Sequence, residues 1–142
     1  MDGKAKMSKS QGNTIPLSAS DTEIAAAVQR MYTDPNHLRA SDPGRVEGNV
    51  VFTYLDAFDP DVEAIGELKA DYQRGGLGDM VLKRRLTGIL QGIVAPIREW
   101  RAELSARPDM MMDILRAGAK TGRQVTEQTK VEIIEGLDLF RL

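Results

Sequence analysis

The 142-residue sequence predicts an all-α protein, an antiparallel helical bundle behind a polar leader. Three observations carry that prediction. Apolar residues recur every three or four positions from Ile24 onward. Capping and stop chemistry brackets most of these stripes. The most strand-like stretch, Val50 to Leu55, has no visible partner strand.

The elements follow in order. Residues 1–20 are rich in Lys, Ser, Gly, Asn and Thr and read as a loop. Ser20 or Asp21 can cap a helix, with Glu23 placed to complete a capping box. Ile24, Ala27, Val28 and Met31 give its inner face, and Pro35 stops it. Residues 36–48 are irregular. Val51, Leu55 and Phe58 have helical spacing, so residues 50–58 are read as a helix. Asp59 is the expected cap and Pro60 the expected first residue of the next helix. Its inner face is Val62, Ile65, Leu68 and Tyr72, and Gly75-Gly76 ends it. Asp79 then opens a long helix with the stripe Leu82, Leu86, Ile89, Ile93, Ile97, Trp100 and Leu104. Pro96 inside it predicts a kink. Pro108-Asp109 punctuates. A last helix uses Met111, Leu115, Ala119, Val125, Ile133 and Leu137, with Gly118, Gly122 and Gly136 as weak points.

Composition narrows the function classes. The net charge is -2, so the whole chain does not announce a polyanion partner. The distribution says more: residues 79–130 carry ten Lys/Arg against six Asp/Glu, a basic stretch inside an acidic chain. No cysteine is present, which removes disulfides and thiolate metal sites. His37 is the single histidine, so a His-based metal cluster or catalytic triad is not expected, and neither is any metal site. There is no apolar run long enough to span a membrane, and the cytoplasm is the default expectation.

Two stretches could carry chemistry. Lys6-Met7-Ser8-Lys9-Ser10 places two lysines three apart among hydroxyls, with Gly12 just beyond. Phosphate transfer needs such mobile cations beside a leaving group, but on spacing alone the stretch reads first as a solvated tail. Arg116, Lys120 and Arg123 fall on one helix face, either a phosphate-contacting surface or a solvated face. Lys83, Arg84 and Arg85 read first as solubility, Trp100 as core, and Met110 to Met112 as adaptable packing. Gly75 to Gly78 reads as a helix-to-helix turn rather than a phosphate loop.

A family resemblance adds to this reading. Lys6 to Ser10 matches the signature loop of class I aminoacyl-tRNA synthetases, with Gln11 departing from the usual Leu or Asp after it. Further matching stretches are Met31 to Pro35, Asp42-Pro43-Gly44, Glu47-Gly48-Asn49, Asp56-Ala57-Phe58, Gly75 to Asp79 and Pro96-Ile97-Arg98. Jointly they resemble the C-terminal part of bacterial tryptophanyl-tRNA synthetases over essentially the whole chain.

The resemblance implies an ATP-dependent ligase that activates tryptophan and charges tryptophan tRNA. It implies that residues 1–18 end the catalytic domain and residues 19–142 form the anticodon-binding domain. Lys6 and Lys9 would be catalytic, and Lys6, Met7, Ser8 and Lys9 would bind ATP, taken with Mg2+ as substrate. Arg116, Lys120 and Arg123 become candidates for tRNA contact. The upstream Rossmann-type α/β fold is not in this sequence, and Met1 runs straight into Asp2-Gly3-Lys4-Ala5, as if mid-protein. A fragment is therefore expected, inactive alone, with no bound cofactor and with the homodimer of the complete enzyme in question. The loop is expected to pack poorly against the helices. The alternative is a non-catalytic RNA-binding or protein-interaction module.

Overall fold

Ser20 starts the first helix as its own sequence dictates. Its hydroxyl accepts from the Glu23 N–H at 3.2 Å, and the Glu23 carboxylate accepts from the Ser20 N–H at 2.7 Å. Both orphan donors are satisfied within four residues, so the start needs no tertiary help. The computed structural model describes residues 6–138. Met1 to Ala5, read above as mid-protein sequence, lie outside them. The helices are α1 (Asp21–Gln29), α2 (Val50–Phe58), α3 (Val62–Arg74), α4 (Asp79–Ser105) and α5 (Pro108–Gly136). No strand occurs among the described residues.

The chain divides into two compact units, Met1–Glu99 and Trp100–Leu142. The first holds the core. Ile24 and Val28 from α1, Val51, Phe52 and Leu55 from α2, Ile65 and Tyr72 from α3, and Leu82, Leu86, Leu90 and Val94 from α4 are buried together. Each such side chain contributes roughly 1.5–3 kcal/mol relative to exposure.

Residues 50–58 are helical despite their β-branched composition. Asn49, itself buried, caps α2 by accepting from the Val51 N–H at 3.0 Å. Helical geometry buries Val51, Phe52 and Leu55 at once, whereas a strand would turn consecutive residues to opposite faces.

Two helix boundaries differ from expectation. α1 ends at Gln29, yet Met31 beyond it is still buried. α3 is capped by Asp61, whose carboxylate accepts from the Ala64 N–H at 3.0 Å, and not by Asp59. Asp59 instead turns inward to Arg85, and Pro60 stays outside the helix. Val62, expected on the inner face, is exposed at the first turn.

The α3–α4 connection is set by close packing. Gly75 (φ +87) and Gly76 (φ +118) adopt backbone that L side chains avoid, and a Cβ on Gly75 would strike the Ser41 carbonyl. Nearby, a Cβ on Gly44 would enter the Tyr72 ring. Asp79, the first residue of α4, gathers three partners there. It accepts from the Thr33 hydroxyl at 2.6 Å and the Tyr72 phenol at 2.8 Å, and lies 3.2 Å from His37 Nδ1. The His37 and Tyr72 rings are 4.4 Å apart. His37, the single histidine, is thus a buried member of this knot.

The basic cluster of α4 is mostly structural rather than a matter of solubility. Lys83 is buried and donates to the Gln29 carbonyl at 2.8 Å, satisfying the last turn of α1. Arg85 holds Asp59, and only Arg84 of the three is exposed. Farther along, Arg98 donates to the Ala19 carbonyl at 2.7 Å and pairs with Asp21 at 3.0 Å, fixing α4 against the start of α1.

α4 continues through Pro96. Its buried stripe is Leu82, Leu86, Leu90 and Val94, and the expected stripe loses its cover beyond that point. Ile93 and Ile97 are each 40% exposed and Trp100 is 67% exposed, so Trp100 is not core. In the second unit, α5 buries no residue. Met110, Met111 and Met112 are exposed, which corrects their reading as packing residues. Periodicity locates an amphipathic face, but it does not supply the surface that covers it.

Candidate functional site

The signature stretch is a closed loop rather than an open tail. Lys9–Gln11 form one turn of 3-10 helix, and Gly12 follows at φ +61, which bends the chain back. Asn13 then closes the ring. Its side-chain oxygen accepts from the Ser8 N–H at 2.7 Å, and its amide nitrogen donates to the Lys6 carbonyl and to Gln11 Oε1, each at 3.2 Å. The Ser8 and Ser10 hydroxyls are 3.1 Å apart.

Lys6, Met7, Ser8 and Lys9, the residues singled out for ATP, therefore share one organised turn. Lys6 and Lys9 are exposed, and neither ammonium group has an ion-pair partner among the described residues. Met7 reaches α2, where its sulfur accepts from the Tyr54 hydroxyl at 3.7 Å. Burial pushes the Tyr54 phenol above its usual range, so it stays a donor. Ile15, just past the loop, packs against the core. A loop with two exposed cations, two hydroxyls that bond each other and an ordered backbone can receive a polyanion.

The second candidate lies on α5. Arg116, Lys120 and Arg123 line one shallow concavity together with Ala119 and Gln124. Arg116 is tied to Asp113 at 2.9 Å, whereas Lys120 and Arg123 have no ion-pair partner among the described residues. Glu127, next along the face, pairs with Lys130 at 3.5 Å. The loop and the basic face belong to different compact units.

Sequence reasoning assigned no role to Asn13 or Tyr54. Asn13 was visible as a turn residue after glycine, but its pairing with Ser8 and Lys6 depends on the fold of the loop. Tyr54 is 47 residues from Met7, and no local spacing rule joins them.

Comparison with known proteins places this geometry in context. The chain is 48% identical over 141 residues to the tryptophan–tRNA ligase of Clostridium longisporum, covering 98% of this chain and 41% of that protein. It is 45% identical over 145 residues to the tryptophan–tRNA ligase of Lactococcus lactis, covering 99% of this chain and 42% of that protein. The fold resembles the crystal structure of tryptophanyl-tRNA synthetase from Campylobacter jejuni complexed with ADP and tryptophan. The TM-score is 0.76 at 29% identity, over 95% of this chain and 41% of that one. The chain thus spans about two fifths of the length of these relatives. Residues 1–95 match the family described as class I tRNA synthetases (W and Y), and the chain belongs to that family.

Proposed function

We propose that this chain is the signature-loop and tRNA-binding region of a tryptophan–tRNA ligase. The reading rests on the organised Lys6–Asn13 loop in a chain 48% identical to a tryptophan–tRNA ligase. In the first step the tryptophan carboxylate attacks the α-phosphorus of ATP. The bond to the bridging oxygen breaks, and pyrophosphate leaves as tryptophanyl-adenylate forms. In the second step a ribose hydroxyl at the 3′ end of the tRNA takes the acyl group, and AMP leaves.

Lys6 and Lys9 suit the first step because negative charge grows on the departing pyrophosphate. A cation that meets that charge more strongly in the transition state than in bound ATP accelerates the reaction. ATP enters with Mg2+ as substrate. Ser8 lies in the same turn and supplies a hydroxyl toward phosphate. Lys120 and Arg123, joined by Arg116, offer phosphate contacts to tryptophan tRNA. The complete enzyme acts as a homodimer in the cytoplasm in this reading. No helix among the described residues is long and apolar enough to cross a membrane.

The test is a chimera in which residues 1–142 replace the matching region of the Clostridium longisporum enzyme. Tryptophan-dependent ATP–pyrophosphate exchange is expected from the chimera and not from the 142-residue chain alone. A folded chimera that binds tryptophan and ATP without exchange contradicts the ligase reading. Exchange by the chain alone contradicts the division of labour proposed here.

A further inference from the structure

We propose that Asn13 is a positioning residue for Lys6 and Lys9, acting as a side-chain staple that fixes the separation and direction of the two lysines. The inference rests on the ligase reading and deepens it. Its basis is the use Asn13 makes of its amide. The oxygen takes the Ser8 N–H at 2.7 Å, and the nitrogen gives to the Lys6 carbonyl at 3.2 Å. Those two backbone groups flank Met7, so one side chain clamps the backbone on both sides of the loop's apolar residue. A second donation, to Gln11 Oε1 at 3.2 Å, reaches the far side of the turn.

Neither aspartate nor alanine reproduces these contacts. Aspartate keeps an acceptor for the Ser8 N–H but has no donor for the Lys6 carbonyl, and it sets a negative charge beside the lysines. Alanine leaves all three partners to water. Gly12 at φ +61 brings Asn13 back over the loop, a backbone state that favours glycine. The loop is exposed and has few contacts of its own, so without the staple it samples many conformations. Two lysines in varied positions meet a developing charge less well than two held in place.

Asn13 touches no phosphate in this scheme and acts only through the lysines, which gives a distinctive test. Ser8 amide hydrogen exchange is measured in the 142-residue chain and in the Asn13→Ala and Asn13→Asp variants. Protection is expected in the parent, lost in Asn13→Ala and partly retained in Asn13→Asp. Equal Ser8 exchange in the parent and in Asn13→Ala overturns the staple.

The second arm uses the chimera and ATP–pyrophosphate exchange. Asn13→Ala is expected to lower kcat about 10-fold or more with the KM for tryptophan unchanged, since the tryptophan site is elsewhere. In a Lys9→Ala background the same substitution is expected to cost less than it does in the parent, because one of the two lysines it positions is gone. Full additivity of the two substitutions, or unchanged kcat in Asn13→Ala, overturns the positioning role. An active parent chimera with either of those results leaves the ligase reading standing. An inactive, folded parent chimera removes the ligase reading itself. Circular dichroism of each variant separates loop effects from unfolding, and Asn13→Asp provides a second substitution in the same exposed turn.

Discussion

The Arg85 guanidinium meets the Asp59 carboxylate at 2.5 Å, and only 3% of the Asp59 side chain is exposed. This pair joins α4 to the α2–α3 turn, and it redirects an acid that local sequence would have made a helix cap. Arg85 holds the Asp59 carboxyl below the usual carboxylate range, outweighing the burial that would raise it.

Removing Arg85 leaves a buried carboxylate unpaired. Arg85→Ala is expected to destabilise the first unit by about 2–3 kcal/mol, read from urea unfolding. The double variant with Asp59→Asn recovers part of that loss. An Arg85→Ala chain as stable as the parent contradicts the pairing.

The same pair sets an acid response. A depressed folded pKa adds stability above the unfolded value, about 4, and that stability is lost as pH falls through the lower folded value. The parent is therefore expected to lose stability more steeply below about pH 4 than Asp59→Asn, in unfolding curves taken from pH 6 to pH 2.

Tyr72 tests the packing beside Gly44. Burial first, and then the Asp79 carboxylate, push its phenol upward, so it remains protonated beyond the ordinary tyrosine range. In alkaline absorbance titration, two of the three tyrosines, Tyr54 and Tyr72, are expected to ionise late. The overlapping volume predicts that Gly44→Ala destabilises by about 1–3 kcal/mol or more. A neutral Gly44→Ala would contradict the close approach.

Much of the fold was legible because its signals are local. The Ser20–Glu23 box, the Gly75-Gly76 stop and the α5 start at Pro108 each lie within a few residues. Asp59 misled because its partner is 26 residues away. Trp100 misled because a helical stripe states which side is apolar and not what faces it. The loop lysines stood out by residue type and spacing, but their proposed role came only from the family resemblance. The amide that organises them did not stand out, because a single asparagine after glycine is ordinary turn chemistry.

Trp100 is the single tryptophan and is 67% exposed, so its fluorescence reports that correction directly. Emission close to that of free tryptophan, with ready quenching by acrylamide, is expected from the 142-residue chain. Blue-shifted, protected emission would restore Trp100 to a core.

The basic face of α5 makes a salt-dependent prediction. Each phosphate contact steepens the fall of log affinity with log salt by about 0.7–0.9. Lys120→Ala and Arg123→Ala are each expected to remove about that much from the slope for tryptophan tRNA. Arg116→Ala removes less, because Asp113 already engages it. Unchanged slopes in all three would move the tRNA contact elsewhere.

In the proposed function the Lys6–Asn13 loop serves ATP during tryptophan activation. The most direct measurement is tryptophan-dependent ATP–pyrophosphate exchange by the chimera carrying residues 1–142, with and without Lys9→Ala. Exchange is expected in the parent chimera, with a loss of about 100-fold or more in kcat on Lys9→Ala. Exchange that is indifferent to Lys9, in an active chimera, would contradict that role.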